Sequence, residues 1–196
     1  MNNGPAILVT GGAGYIGSHG CRALAAAGYH PVVFDNFSTG HRGFVTGSLV
    51  TGDLNDSAAL DRAFAQHDIV AVMHFAASSL VGESVADPAK YYANNVAGTL
   101  SLLDAMRKAG CNRLVFSSTG AVYGSADSKA LPESYPCAPI NPYGASKWMI
   151  ERSLPIIAAP TGWAPSACVT SMPAAPTQTA VSANCATMKP ISSPAP

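Results

Sequence analysis

Short, unbroken apolar runs alternate along this chain with longer stretches whose apolar residues recur every three or four positions. The runs Ala6-Ile7-Leu8-Val9, Pro31-Val32-Val33-Phe34, Ile69-Val70-Ala71-Val72-Met73 and Leu114-Val115-Phe116 have the length and continuity of strands covered on both faces. Between them, 15–27 predicts a helix stopped by Gly28, and 58–66 a helix capped by Asp56 or Ser57. A loop rich in Gly, Ser, Thr and His over 36–47 leads to a short strand at 48–51. The stretch 88–109 predicts one long helix with Tyr92, Val96, Leu100 and Leu103 on its apolar face and Gly110 at its end. Gly98 within it costs about 1 kcal/mol of helix preference relative to Ala, which implies close packing at that point. The last clear helix opens at Asn141-Pro142-Tyr143. Such regular alternation of strand and helix predicts an α/β fold, a doubly wound parallel sheet.

In sheets of this kind, ligands lie beyond the carboxyl ends of the strands. Gly11, Asp35, Asp53, Phe75 and Ser117 all fall there. Gly11, Gly14 and Gly17 occupy the first strand-to-helix turn, followed by Tyr15 and Ile16 in the opening turn of the helix. Glycines at this spacing allow a tight turn and close approach of a pyrophosphate to backbone N–H groups, with the helix N-terminus adding its positive dipole end. The pattern is that of a Rossmann-like dinucleotide site. Asp35, at the end of the second strand, is placed to accept hydrogen bonds from an adenosine ribose and to repel the phosphate of NADP, which points to NAD. The same aspartate before Asn36 also suits an ordinary turn or cap. Ala76 and Ala77, after Phe75, leave room for a cofactor against the backbone.

Composition narrows the partners. Of 196 residues, 48% are hydrophobic and 11% charged, enough apolar content for one good core, or for one domain and part of a second. The formal net charge of zero lacks the basic footprint of a nucleic-acid binder and leaves small molecules as the expected ligands. The five cysteines and five histidines show neither paired spacing nor a metal-ligand pattern, so no metal is expected and the thiols are read as reduced. No signal peptide or membrane-spanning run is evident, and the expected location is the cytoplasm.

The candidate chemistry sits on the last helix. Tyr143 and Lys147 are one turn apart and project from one face. A nearby ammonium and a positive nicotinamide ring both favour the phenolate, so a tyrosine so placed can take a proton from a hydroxyl while hydride leaves the same carbon. Thr119, at the end of the preceding strand, is placed to hold that hydroxyl. By spacing alone, such a Tyr/Lys pair also describes a plain surface contact on a helix.

From about Ala6 to Leu154 the chain resembles the extended short-chain dehydrogenase/reductases, and within them the UDP-glucose 4-epimerase family. The resemblance rests on Val9-Thr10-Gly11-Gly12-Ala13-Gly14-Tyr15-Ile16-Gly17-Ser18-His19, Asp35-Asn36, Gly52-Asp53-Leu54 and His74-Phe75-Ala76-Ala77. It continues in Val81-Gly82-Glu83-Ser84-Val85, Asn94-Asn95-Val96, Gly98-Thr99, Phe116-Ser117-Ser118 and the stretch from Pro142 to Lys147. Sugar-nucleotide dehydratases related to these usually carry Asp-Glu where this chain has Thr119-Gly120. The resemblance implies bound NAD, with Tyr143 as base, Lys147 as its tuner and ribose ligand, and Thr119 holding the reacting hydroxyl. Asn36 lies beside the ribose aspartate, Asp53 and Leu54 flank the adenine, and Asn95 helps to hold cofactor or substrate. The implied reaction moves hydride from C4 of a UDP-sugar to NAD and returns it to the other face of a 4-keto sugar. Ser79 departs from the lysine that some members carry near the cofactor. A homodimer is implied for the full-length family. Galactose use and supply of UDP-galactose for surface polysaccharide both remain open as roles. The alternatives are another NAD-dependent nucleotide-sugar epimerase or dehydratase, such as a uronate epimerase, and a non-catalytic NAD-binding fragment.

Beyond Leu154 the composition turns to Ala, Pro, Ser and Thr and the strand pattern is lost. The expected organisation is a dinucleotide-binding domain over 1–154 and a disordered tail over 155–196, with the substrate domain missing. Codon arithmetic adds a reason. If each original codon joined the last base of one present codon to the first two of the next, Val169-Thr170-Ser171-Met172-Pro173 reads back as Arg-Tyr-Phe-Asn-Ala, the family's next motif. The single codons of Trp163 and of Met before Pro173 and Lys189 force Gly, Ala and Glu in that reading, and all three suit the family. A shift of frame near Leu154 or Pro155, and an impaired product, are therefore expected.

Overall fold

The computed structural model describes residues 4–125, 131–158, 164–170 and 189–190. A single sheet forms its centre, with strands β1 (Ala6–Thr10), β2 (His30–Asp35), β3 (Ser48–Thr51), β4 (Ile69–His74), β5 (Arg113–Thr119), β6 (Ala164–Thr170) and β7 (Lys189–Pro190). Their order is β3-β2-β1-β4-β5-β6-β7. The first six run parallel and β7 pairs antiparallel to β6. Helices α1 (Tyr15–Ala26), α2 (Ser57–Gln66), α3 (Val81–Ala86), α4 (Pro88–Tyr91), α5 (Gly98–Lys108) and α6 (Pro142–Ala158) connect or flank the strands. The doubly wound sheet expected from the hydrophobic pattern is thus present. Leu8, Val32, Phe34, Val72, Leu114 and Phe116 form the centre of one core with residues of α2, α5 and α6. Ile7, Val9 and Val33 face the opposite layer with Cys21 of α1.

Chain order jumps between β1 and β4, which are adjacent in space. At that switch, loops leave neighbouring strands in opposite directions and open a crevice above the carboxyl edge. A band of buried polar residues lies along this edge: Thr10, Asp35 and His74 close β1, β2 and β4, and Ser117, Ser118 and Thr119 end β5.

Two elements depart from the pattern. The single helix expected over 88–109 is α4, a π-helical turn at Tyr92–Ala97, and α5. The wider turn rotates the following helix, so Leu100, assigned to the apolar face, is 45% exposed while Gly98, Thr99, Leu102, Leu103 and Met106 are buried. The close packing expected at Gly98 is present: a Cβ there would stand 2.9 Å from Leu54 Cβ.

The second departure follows Leu154. Helix α6 runs through Pro155 to Ala158, since a proline near the end of a helix removes one hydrogen bond without redirecting the chain. Ala164–Thr170 then pairs with β5 from Arg113↔Ala164 to Thr119↔Thr170. Strand pairing is satisfied by backbone groups, so the expected loss of strand pattern after Leu154 does not hold over these residues. Lys189–Pro190 pairs antiparallel with β6, and the rest of the tail assigned as disordered, 159–163, 171–188 and 191–196, lies outside the described residues.

Candidate functional site

The glycine turn is built by backbone contact. Gly11 adopts φ +69° and donates to the Phe34 carbonyl (2.9 Å), while a Cβ on it would meet Ala76 N at 2.6 Å. Gly17, in the first turns of α1, is still more confined: its Cβ would stand 2.2 Å from the Gly11 carbonyl oxygen. Helix α1 begins at Tyr15 on Gly14 with no side chain capping it, so its dipole end and first N–H groups face the crevice side of the turn. Tyr15 stands exposed there against His19, with Ile16 half-buried beside it. Asp35 is buried and braces the turn, Oδ2 accepting from Ala13 N (3.0 Å) and Oδ1 from Phe37 N (2.8 Å). Each oxygen retains a second lone pair. Asn36 donates to Asp53 Oδ2 (2.7 Å), and the N–H of Asn55 is the main cause holding the Asp53 carboxyl below its usual range. Leu54, expected near the adenine, sends its side chain into the core at 5% exposure; only its backbone remains at the loop. Phe75 donates its N–H to Thr10 O (3.0 Å), which sets Phe75, Ala76 and Ala77 alongside the glycine turn.

Across the crevice, β5 and α6 bring the candidate acid–base groups together. Thr119 lies close enough to Tyr143 for its hydroxyl to favour the phenolate. Lys147 is 3% exposed, donates from Nζ to Ser117 O (2.9 Å), and lies 4.7 Å from the centre of the Phe116 ring. Burial pushes the Tyr143 phenol up, with the Thr119 hydrogen bond opposing it, and brings Lys147 down to about 8. The expectation that Lys147 draws Tyr143 down is not met by the chain alone: burial is the larger influence on the phenol, and Thr119 is what opposes it. The Tyr91 ring packs edge-on against Tyr143, with centroids 6.4 Å apart, and its hydroxyl donates to Leu80 O (2.6 Å).

Behind these groups runs a polar chain of which the sequence reading assigned only Asn95, as helping to hold cofactor or substrate. The Thr99 hydroxyl donates to Asn95 O (2.5 Å), so it accepts from His74 Nε2 (2.8 Å), and His74 Nδ1 accepts from the Thr10 hydroxyl (2.6 Å). Burial, then the charge of Lys147, brings His74 down to about 3. Asn95 sits in the π-helical turn, accepts from Ser78 N (2.8 Å), and donates to Ser78 O (3.0 Å) and to Ser146 Oγ (3.1 Å). Ser146 donates to Tyr143 O (2.7 Å). Hydrogen bonds thus connect the end of β1, the end of β4 and the helix bearing Tyr143. The motifs quoted above contain Thr10, His74, Asn95, Thr99 and Ser146, but only the three-dimensional arrangement joins them.

Among the described residues, no group of three His, Cys, Asp or Glu could hold a metal ion, and no helix is long and apolar enough to cross a membrane.

The sequence model of the NAD dependent epimerase/dehydratase family matches residues 7–181, beyond the point where the motif resemblance ends. A UDP-glucose 4-epimerase of Rhizobium leguminosarum bv. trifolii is 55% identical over 152 residues, covering 77% of this chain and 46% of the relative. The crystal structure of UDP-glucose 4-epimerase from Brucella ovis in complex with NAD superposes with TM-score 0.81 at 48% identity, over 84% of this chain and 51% of that one. A UDP-glucose 4-epimerase from Thermotoga maritima, solved with UDP-glucose, gives TM-score 0.78 at 36% identity, over 84% and 54%. The chain therefore spans about half the length of the relatives it matches. On the extent of that match and the agreement in fold, the chain belongs to the NAD dependent epimerase/dehydratase family.

Proposed function

We propose that these residues form the cofactor-binding and proton-transfer half of an enzyme interconverting UDP-glucose and UDP-galactose. The observation that carries this is the convergence of Thr119, Tyr143 and Lys147 at the end of β5, with Lys147 anchored on Ser117 and the Thr119 hydroxyl acting on Tyr143. The likeness to NAD-bound epimerases supports it. The residues fit a dinucleotide: Gly17 closes against Gly11 where any Cβ would collide, α1 begins uncapped, and both Asp35 oxygens keep an acceptor site.

When bound, NAD supplies reversible hydride transfer at one sugar carbon. Around it, the uncapped α1 terminus and the turn backbone bind pyrophosphate, and Asp35 accepts from ribose hydroxyls. Thr119 aligns the sugar C4 hydroxyl with Tyr143. Tyr143 takes that proton as the 4-keto sugar forms and returns it when the opposite epimer is made. Lys147 places a cation on the same face of α6, in the direction that favours phenolate over phenol. His74, neutral and hydrogen-bonded at both nitrogens, holds the region behind them without exchanging protons.

We also propose that residues from 155 onward derive from a shifted frame and that the 196-residue chain turns over poorly, with UDP-sugar as its intended partner, a cytoplasmic location, and a dimer in the full-length form. The test compares UDP-glucose/UDP-galactose interconversion by the chain as given and by 1–154 joined to the alternative frame. The joined protein is expected to be active, and its Tyr143→Phe variant to lose about 10²- to 10⁴-fold. A joined protein that retains NAD yet leaves nucleotide sugars unchanged would overturn the reading in favour of a non-catalytic NAD-binding fragment.

A further inference from the structure

One charged side chain at the site has no part in the proposed chemistry. Glu151 lies one turn beyond Lys147 on α6, so Tyr143, Lys147 and Glu151 recur at four-residue spacing on one side of the helix. The Ser118 hydroxyl donates to Glu151 Oε1, while Lys147 Nζ donates to the carbonyl of the adjacent Ser117. Two neighbouring residues at the end of β5 are thus each tied to a different charged group of α6. The charge of Glu151 also acts on Lys147, in the direction that favours the ammonium.

We propose that Glu151 is a positioning residue that keeps Lys147 charged and held against β5, and so sets the pH range in which Tyr143 works. The proposal rests on the roles given above to Tyr143 and Lys147. The groups around the pair are consistent with it. His74 of β4 is kept neutral by burial and then by the charge of Lys147, so it brings no competing charge to the pair. Tyr123 of the 3₁₀ turn Gly120–Tyr123 and Cys137 of the following loop face Glu151, and both are pushed up by burial and then by neighbouring acidic groups, so neither competes as an anion. Burial pushes the Glu151 carboxyl up as well, while Ser118 and Lys147 both favour its ionised form. With Lys147 already near 8, removal of the carboxylate lowers the ammonium further, toward the working pH.

The test is an NMR titration of lysine Cε resonances in the cofactor-free 196-residue chain, with Glu151→Gln, Glu151→Asp and, as an exposed control on α5, Asp104→Asn. Glu151→Gln is expected to lower the Lys147 midpoint by about one pH unit, the size of one screened charge a helical turn away. Glu151→Asp should restore much of the shift, and Asp104→Asn should leave the midpoint in place. A folded Glu151→Gln chain with an unchanged midpoint overturns the proposal. If Glu151→Gln does not fold, Lys147→Met with carboxyl detection gives the reciprocal measurement. Coupling requires Glu151 to rise by a similar amount, and no rise overturns the proposal equally. In the active joined protein, Glu151→Gln should move the alkaline limb of kcat to lower pH. A moved Lys147 midpoint with an unmoved limb would count against the role of Lys147 in the reaction, while leaving its coupling to Glu151 established.

Discussion

At single residues, confinement and burial decide which substitutions matter. Gly17 and Gly14 belong to the same glycine pattern, yet a Cβ on Gly14 would meet only Gly11 O at 3.2 Å, whereas at Gly17 the same oxygen stands at 2.2 Å. Gly17→Ala must therefore displace β1's outgoing turn, and should cost about 2 kcal/mol or more of stability along with NAD affinity, while Gly14→Ala is milder. Denaturant unfolding of the two variants checks the order, and equal losses would refute it. His74 gives a pH signature. It is neutral in the folded chain down to about 3 but protonates near 6.5 when unfolded, so the unfolded state binds the extra proton throughout that window. Its contribution to stability is complete above pH 6.5 and falls with decreasing pH, by about 1.4 kcal/mol per unit, until the folded midpoint is reached. His74→Gln, which keeps one donor and one acceptor between Thr10 and Thr99, should flatten this part of the acid limb. An unchanged limb would place the acid sensitivity elsewhere.

Among the elements, the π-helical turn at Tyr92–Ala97 separates what could be read from the sequence from what could not. Strands β1, β2, β4 and β5 were readable because continuous apolar runs admit few other structures, and α1 and α2 because glycine or aspartate marks an end. The π-helical turn was not, because its hydrogen bonds depend on Asn95 reaching Ser78 and Ser146, which lie far from it in sequence. One shifted residue was enough to misassign Leu100. Likewise Tyr143, Lys147 and Thr119 could be grouped as candidates from spacing, while the protonation of Tyr143 and Lys147 could not be read there, since burial is the largest influence on both. Asn95→Ala removes four side-chain hydrogen bonds in a buried place. It should cost about 2–4 kcal/mol and loosen α6 as well as the turn. Hydrogen exchange that quickens at 92–97 but not across the first turn of α6 would show that the two elements are not coupled through Asn95.

For the molecule as a whole, the proposed preference for NAD rests on how β1, β2 and the loop after β2 close around Asp35. Its two oxygens anchor Ala13 and Phe37, so the carboxylate is held at the edge of the crevice before any ligand arrives. A fixed anion there favours a ribose bearing two hydroxyls and disfavours one bearing a 2′-phosphate, by charge repulsion and by the loss of a donor to pair with. Binding to the folded state alone stabilises it, by about 2.7 kcal/mol at a hundredfold excess over Kd. For a chain of this length that corresponds to a rise in Tm of about 5–10 °C. NAD should produce such a rise in the 196-residue chain, and NADP at equal concentration a much smaller one. Asp35→Asn then separates the two duties of the side chain. An amide offers one acceptor oxygen in place of two, so the turn loses an anchor and the unliganded Tm should drop; loss of the charge should at the same time narrow the gap between NAD and NADP. If Asn lowers the Tm but leaves the gap intact, discrimination comes from the shape of the loop over 36–47 rather than from the charge on β2. If NADP stabilises the original chain as well as NAD does, Asp35 serves only to brace the glycine turn.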